Sequence, residues 1–176
     1  MDKLLTYFIN EPEREFHVRE LAKLTGKSPT TVSKYLRAYS KEHFLTVNKS
    51  RNHLLFRADT ESAVFRELKV GHNLSLLRKS GLIKHLTEEY NHPAAIILVG
   101  SFARGENVPQ SDIDILVITP LKKEVSVEKF EKAMHHKIQL FLHSAKDIES
   151  MKTLNKELLN SWVNGVVVQG YWEAFT

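Results

Sequence analysis

Residues 94–119 contain two apolar runs that are separated by a glycine-serine turn and a polar loop. The first run, Ala-Ala-Ile-Ile-Leu-Val, predicts a short buried strand that ends at Gly100 and Ser101. The next residues, Phe-Ala-Arg-Gly, predict the start of a helix, and residues 106–110 predict a loop. A second strand is predicted over 111–119, and it begins with the pattern Asp-x-Asp. This order of elements indicates a small α/β domain.

The spacing of Asp112 and Asp114 has a chemical consequence, because residues i and i+2 of a strand point to the same face. Carboxylates about 6–7 Å apart along a strand can both reach one or two hard cations. Gly100 has no Cβ, so a phosphate can approach the backbone, and the following helix presents free amide groups to it. In the alternative, Asp112 only begins the strand, but Asp114 would then be a costly charge in an apolar run. These features are typical of metal-assisted phosphoryl transfer.

The segment LVGSFARGENVPQSDIDILV resembles the nucleotidyltransferase superfamily typified by DNA polymerase beta, especially its minimal prokaryotic members. The resemblance extends over roughly residues 79–170. It implies Mg²⁺ as the cofactor, with Asp112 and Asp114 as its ligands and as the catalytic carboxylates. It also implies that a nucleoside triphosphate is bound by Gly100, Ser101, Arg104 and Gly105.

One position departs from this family pattern. Active members of the superfamily carry a third carboxylate on a later strand, and the strand predicted over 136–142 has Gln139 at the corresponding position. A glutamine can offer a carbonyl oxygen to a metal, but it cannot accept a proton. The resemblance therefore implies impaired catalysis, unless another acid such as Glu106 substitutes for the missing carboxylate.

The basic residues of the chain are concentrated in its first third. Residues 1–60 contain 11 Lys and Arg against 7 Asp and Glu, whereas the remainder contains 14 of each class. Within residues 16–57 the imbalance is steeper, with nine basic side chains and two acidic ones. Such an asymmetry favours a polyanionic partner, and a solvated basic face without a partner is the alternative.

Three short helices and a hairpin are predicted in this third. The first has apolar residues at helical spacing over 4–9, and the second ends at Gly26, which is typical of a helix C-cap. Ser28 followed by Pro29 predicts the start of the third helix. Strands are predicted over 44–47 and 53–56, around a basic turn at 48–52. The expected apolar face of the third helix consists of Val32, Tyr35, Leu36 and Tyr39.

This layout resembles the winged helix-turn-helix family over roughly residues 1–58. The resemblance implies double-stranded DNA as a partner and transcription regulation as a role. It implies DNA contacts from Lys27, Thr30, Thr31, Ser33, Lys34 and Arg37, and from Lys49 and Arg51 on the wing. A winged helix that binds another protein is the alternative.

The two parts are connected by a predicted helical stretch in which Gly71 is expected to interrupt the first helix. We expect a DNA-binding domain at 1–60, connecting helices at 61–92 and a nucleotidyltransferase-like domain at 93–176. The predicted fold class is α+β, with a winged helix-turn-helix followed by a small domain that has a mixed, mostly antiparallel sheet.

Several classes of protein are excluded by composition. The absence of cysteine excludes a disulfide-rich domain and any thiolate metal site. No apolar run is long enough to span a bilayer, and the first residues lack the pattern of a signal peptide. We therefore expect a cytoplasmic protein without a membrane partner.

Three hypotheses for function follow. The leading one is a nucleotidyltransferase-like DNA-binding regulator that binds a nucleoside triphosphate with Mg²⁺, with or without transfer of a nucleotide. The second is a non-enzymatic transcriptional regulator whose degenerate second domain senses a nucleotide or forms a homodimer. The third is an antitoxin-like partner of a helical toxin protein.

Overall fold

The structure is a computed structural model, and it describes residues 3–50 and 53–173. The chain divides into two compact units, residues 1–69 and 70–176. The helices are α1 (Lys3–Asn10), α2 (Val18–Thr25), α3 (Pro29–Lys41), α4 (Ala63–Ser80), α5 (Leu82–Glu89), α6 (Gly100–Arg104), α7 (Glu128–Met134), α8 (Ala145–Leu154) and α9 (Lys156–Val163). The strands are β1 (Phe16–His17), β2 (Leu45–Ser50), β3 (His53–Ala58), β4 (Ala95–Val99), β5 (Ile113–Ile118), β6 (Ile138–His143) and β7 (Val166–Gly170).

The first unit contains the three predicted short helices. Gly26 ends α2 in the left-handed conformation, with φ of 68°, and Ser28 caps α3 by accepting a hydrogen bond from the backbone N–H of Thr31 at 3.2 Å. One face of α3 is anchored in the core by Val32 and Leu36, which are fully buried. The prediction for Tyr35 is wrong, because this ring is 40% exposed at the helix surface.

A three-stranded antiparallel sheet in the order β1-β3-β2 completes this unit. The predicted turn at 48–52 is wrong in part, because residues 48–50 belong to β2 and pair with β3, while residues 51 and 52 lie outside the described residues. Strand β1 was not predicted. It has only two residues, and it forms because Phe16 pairs with Phe56 in β3.

The second unit is built on a four-stranded sheet in the order β6-β5-β4-β7. Strand β4 is antiparallel to both β5 and β7, whereas β5 and β6 are parallel. The α+β class is confirmed, and this sheet is mixed and mostly antiparallel. Because β4 and β5 are the central strands, both of their faces are covered, which explains their continuous apolar sequences.

Alternate residues of the central strands pack in separate clusters. On one face, Ile96 and Leu98 of β4 pack in a cluster that also contains residues of α5, α6 and α7. On the other face, Ile97 packs with Leu159 and Trp162 of α9. The ends of β4 and β5 are held rigidly between these two layers, and the side chains at those ends form the site described below.

The long helix α4 corrects one prediction. Gly71 does not interrupt it, since the helix is continuous from Ala63 to Ser80. A single glycine costs a helix only about 1 kcal/mol relative to alanine, which tertiary packing can offset. The division between the two units falls inside this helix, after Lys69.

No helix in the described part of the chain is long and apolar enough to cross a membrane.

Candidate functional site

The two aspartates lie at the start of a central strand. Asp112 directly precedes β5 and is exposed, whereas Asp114 is the second residue of β5 and is partly buried. Ile113, between them, is fully buried. The two carboxylates therefore share the face of the strand opposite to Ile113, the face on which Leu116 packs further along β5, as the i, i+2 spacing predicted.

Gly100 packs directly against one of these carboxylates. Val99, the last residue of β4, pairs with Asp114 in the antiparallel register. The turn that follows Val99 therefore begins next to Asp114. Gly100 has φ of 69°, and a Cβ at this position would overlap Oδ2 of Asp114. Glycine is thus required here both for the backbone conformation and for the close approach of the carboxylate.

The turn leads immediately into α6, a helix of five residues that includes Gly100 and Ser101. The carbonyl oxygen of Ser101 accepts hydrogen bonds from the backbone N–H groups of Gly105 and Glu106. Gly105 ends the helix with φ of 70°. The two predicted glycines therefore bound a compact turn beside the aspartates.

Arg104 and Glu106 form an ion pair at the end of this helix. Nε of Arg104 donates to a carboxylate oxygen of Glu106 at 2.7 Å, and both side chains are about half exposed. Glu106, the acid that sequence reasoning suggested as a substitute for a third carboxylate, is thus engaged by an arginine. Within residues 3–50 and 53–173, no three His, Asp or Glu side chains cluster closely enough to hold a metal ion.

Gln139 lies beside the aspartates on the neighbouring strand. The parallel register of β5 and β6 pairs Gln139 with Asp114, and the side chain of Gln139 is exposed. The structure thus places an amide, rather than a carboxylate, next to the two acids. That residue 139 is the third-acid position stays a prediction.

Electrostatics distinguishes Asp114 among the carboxylates of this unit. Burial raises its pKa, the neighbouring charge of Asp112 raises it further, and Arg104 partly opposes the shift. A cation between the two carboxylates would offset the negative charge of Asp112 that disfavours ionisation of Asp114. Their hard oxygen atoms, with the carbonyl oxygen of Gln139 alongside, are donors that fit Mg²⁺.

The loop before Asp112 is held by polar residues that the sequence reasoning missed. Val108 and Ser111 exchange two hydrogen bonds of 2.9 Å, one to the backbone carbonyl and one to the serine hydroxyl. Nδ1 of His136 lies 2.9 Å from the carbonyl oxygen of Ser111 and is its donor. Asn73 of α4 is hydrogen-bonded to the side chain of Asn107 at the other end of the loop. Single Asn and His residues in helical or loop patterns give no signal that could have identified them.

The first unit has a groove of about 1170 Å³ between α2, α3 and β3. Its lining includes four Lys and Arg side chains from two helices and one acidic side chain. It is lined by His17, Val18, Arg19, Glu20, Pro29, Thr30, Ser33, Lys34, Arg37, Ala38, Lys41, His53 and Leu54.

The predicted DNA contacts fall partly in this groove. Four of the residues predicted to contact DNA line the groove, namely Thr30, Ser33, Lys34 and Arg37. Lys27, Thr31 and Lys49 are exposed outside its lining, and Arg51 lies outside the described residues. The sequence reasoning missed Arg19 and Lys41 as groove residues, although both belong to the basic stretch that it identified.

Comparison with known proteins gives a match in the second unit, which contains the two aspartates. A family model described as "Nucleotidyltransferase domain" matches residues 79–163, from the end of α4 to the end of α9. No curated protein matches the chain. The match supports a nucleotidyltransferase domain over most of the predicted range, with both aspartates and the glycine turn inside it.

Proposed function

We propose that the domain at 79–163 binds a nucleoside triphosphate together with Mg²⁺. The observation that carries this proposal is the packing of Gly100 against Asp114, because it brings the backbone turn that begins α6 next to a pair of carboxylates. Asp112 and Asp114 would hold the metal, and the turn at Gly100 and Ser101 would receive the phosphates. The nucleotide needs the metal ion in order to bind, because two carboxylates would repel a triphosphate without a cation between them.

When bound, Mg²⁺ would neutralise charge on the phosphate oxygens and on the two aspartates. The residues of the chain would supply the other contacts to the phosphates. Amide groups at the start of α6 would face the phosphates, and Gly100, which has no Cβ, lets Asp114 pack directly against this turn. Arg104, already oriented by Glu106, adds positive charge at the far end of the helix.

We further propose that nucleotide transfer by this domain is slow or absent. Transfer to a hydroxyl requires a group that accepts its proton, and the amide of Gln139 beside Asp114 cannot do so. Glu106 is bound by Arg104 instead of being free to act as a base. These observations favour the second hypothesis for this domain, a sensor that binds nucleotide without efficient turnover.

For the first unit we propose a winged helix-turn-helix that binds double-stranded DNA. Support comes from the spacing of Lys34, Arg37 and Lys41, which places three cations on one face of α3 along the groove. Arg19 of α2 adds a fourth cation, and the acid in the lining, Glu20, is already paired with Arg14. A concave surface with this balance of charge attracts a phosphate backbone. The combined role is a DNA-binding regulator that responds to nucleotide.

A panel of labelled nucleotides tests the proposal. Purified protein is incubated with labelled ATP, CTP, GTP or UTP and Mg²⁺, with and without DNA, RNA or cell extract. We expect saturable, Mg²⁺-dependent retention of at least one nucleotide and little covalent transfer. Absence of retention for all four would refute nucleotide binding, and rapid labelling of an acceptor would refute the role proposed for Gln139.

A further inference from the structure

Asn73 is a polar side chain buried in the core of the second unit. It lies on α4 and is 1% exposed. Its Nδ2 donates two hydrogen bonds of 2.9 Å, one to the backbone oxygen of Phe102 and one to Oδ1 of Asn107. Asn107 is itself only 7% exposed. Removing this donor takes one hydrogen bond from each of two buried acceptors, which costs more than the loss of an exposed bond.

The first of these bonds holds the helix of the glycine turn. With five residues, α6 has few hydrogen bonds of its own. The carbonyl of Ser101 binds the N–H groups that follow the helix, whereas the carbonyl of Phe102 is bound by Asn73. Asn73 therefore anchors the element that begins at Gly100.

The second bond holds the loop that leads to the acidic pair. Asn107 stands near the start of this loop, and its side chain is bound by Asn73. At the other end of the loop, His136 donates a hydrogen bond to the backbone carbonyl of Ser111. Ser111 is the residue directly before Asp112. The loop is thus fixed at both ends, and its first anchor is the same side chain that fixes α6.

We propose that Asn73 is a positioning residue of the nucleotide site. A single buried amide ties the helix of the glycine turn to the loop that leads to Asp112, so it holds this loop and its carboxylate against the turn. The pairing of Val99 with Asp114 already fixes the second carboxylate beside Gly100. Asn73 touches neither nucleotide nor metal in this account, and the inference depends on the nucleotide-binding function proposed above. A hydrogen bond between two buried side-chain amides, Asn73 and Asn107, is strong enough to hold the loop in place because it is shielded from water.

The test compares Asn73→Ala with Leu159→Ala in the full-length protein. Leu159 is buried on the opposite face of the sheet, in the cluster that contains Trp162, so its truncation destabilises the unit without touching the loop. Two quantities are measured under conditions where both variants are folded. One is the dissociation constant of whichever Mg²⁺ complex of ATP, CTP, GTP or UTP binds the wild type most tightly. The other is the rate of amide hydrogen exchange across residues 101–112.

We expect Asn73→Ala to weaken nucleotide binding by about tenfold and to accelerate exchange in this segment by a similar factor. Leu159→Ala should change neither by more than about twofold, even where its melting temperature falls equally. If the two variants behave alike, Asn73 is only a stabilising core residue and the proposal is wrong. If the wild type binds no nucleotide, the proposed function fails, and exchange alone decides whether Asn73 positions the loop.

A milder pair of variants covers the case in which Asn73→Ala does not fold. Asn73→Ser retains one hydroxyl donor, and Asn107→Ala keeps the bond from Asn73 to Phe102 while releasing the loop. Asn107→Ala should accelerate exchange in residues 106–112 and leave residues 101–104 protected. Uniform exchange across both segments in that variant would contradict separate anchoring of helix and loop by Asn73.

Discussion

The two units present surfaces of opposite charge, and we propose that both meet phosphates. The groove of the first unit has four basic side chains and one acid, which is paired with Arg14. The site of the second unit has Asp112 and Asp114 at the start of one strand. A basic groove can attract a phosphate backbone directly, whereas paired carboxylates need a cation before a phosphate can approach. The sign of the charge alone therefore does not identify a phosphate-binding surface, and the backbone turn beside the charge matters as much.

The largest effect that separates the two surfaces is their response to salt. If about six of the nine basic side chains in residues 16–57, four of them in the groove, meet phosphates, affinity for duplex DNA should fall ~10³-fold between 50 and 200 mM salt. Nucleotide binding at the aspartates should fall much less, because fewer charges are exchanged. The measurement is fluorescence anisotropy with a labelled duplex across a salt series.

A matched pair of variants assigns this salt effect to the groove. Lys34→Gln with Arg37→Gln removes two groove cations, and Lys132→Gln with Lys156→Gln removes two exposed cations of the second unit. Only the groove variant should flatten the dependence on salt, by about two phosphate contacts. DNA binding that is insensitive to salt, or equal loss in both variants, would contradict DNA recognition by this groove.

A smaller effect is expected at Gln139, where an amide lies beside the two aspartates. Gln139→Asp places a carboxylate beside Asp114, and a positioned base typically contributes about 10²–10⁴-fold to a rate. We expect nucleotide transfer to rise about 10²-fold or more. Gln139→Asn is the control, since it has the size of aspartate without the charge. Brisk transfer by the wild type that persists in Gln139→Ala would show that the base lies elsewhere.

Two glycines of nearly identical conformation sharpen the comparison further. Gly26 in the first unit and Gly100 in the second have φ of 68° and 69°. A Cβ on Gly26 would meet nothing within 4 Å, whereas one on Gly100 would overlap Asp114. Gly26→Ala should cost about 1 kcal/mol of unfolding free energy, for the left-handed backbone alone. Gly100→Ala should cost about 2–4 kcal/mol, because the overlap is added to that strain.

Denaturant unfolding of both glycine variants measures these costs, and nucleotide binding provides a second readout. Gly100→Ala should abolish nucleotide binding, while Gly26→Ala should leave it unchanged. Equal destabilisation in the two variants would mean that Asp114 moves aside without cost.

The smallest expected effect concerns a cation that lines neither surface. Lys69 is buried, and burial lowers the pKa of its ammonium group from 10.5 to about 8. Between these values the unfolded chain binds more protons than the folded one, so stability rises with pH. We expect the free energy of unfolding to increase by about 1–2 kcal/mol between about pH 8 and pH 9.5. The difference between the wild type and Lys69→Met over this window isolates the contribution, and identical slopes would contradict it.

Much of the acidic site follows from local sequence patterns. The glycine turn, the continuous apolar strands β4 and β5, and the i, i+2 aspartates depend on short-range geometry, and the structure has all three. The position of Gln139 came from the family resemblance instead of local geometry, and the parallel register of β5 and β6 pairs it with Asp114.

Other features depend on contacts between distant segments, which a single sequence does not encode locally. Strand β1 exists because Phe16 meets Phe56, and a pattern of two residues cannot predict it. Gly71 lies inside α4 although local propensity favours a break, because the helix is held by residues such as Leu77 in the core. The bond between Asn73 and Asn107 joins residues 34 positions apart, so neither residue stands out in the sequence.

The central claim is that Asp112 and Asp114 bind the metal-nucleotide complex. Calorimetric titration of the tightest Mg²⁺-nucleotide complex into Asp112→Asn/Asp114→Asn tests it most directly, because the substitution keeps shape and removes charge. The control, Glu88→Gln/Glu157→Gln, neutralises two exposed carboxylates elsewhere in the same unit. We predict that the aspartate variant loses at least ~10²-fold in affinity while the control binds as the wild type does. Unchanged affinity in the aspartate variant would contradict the assignment of the site.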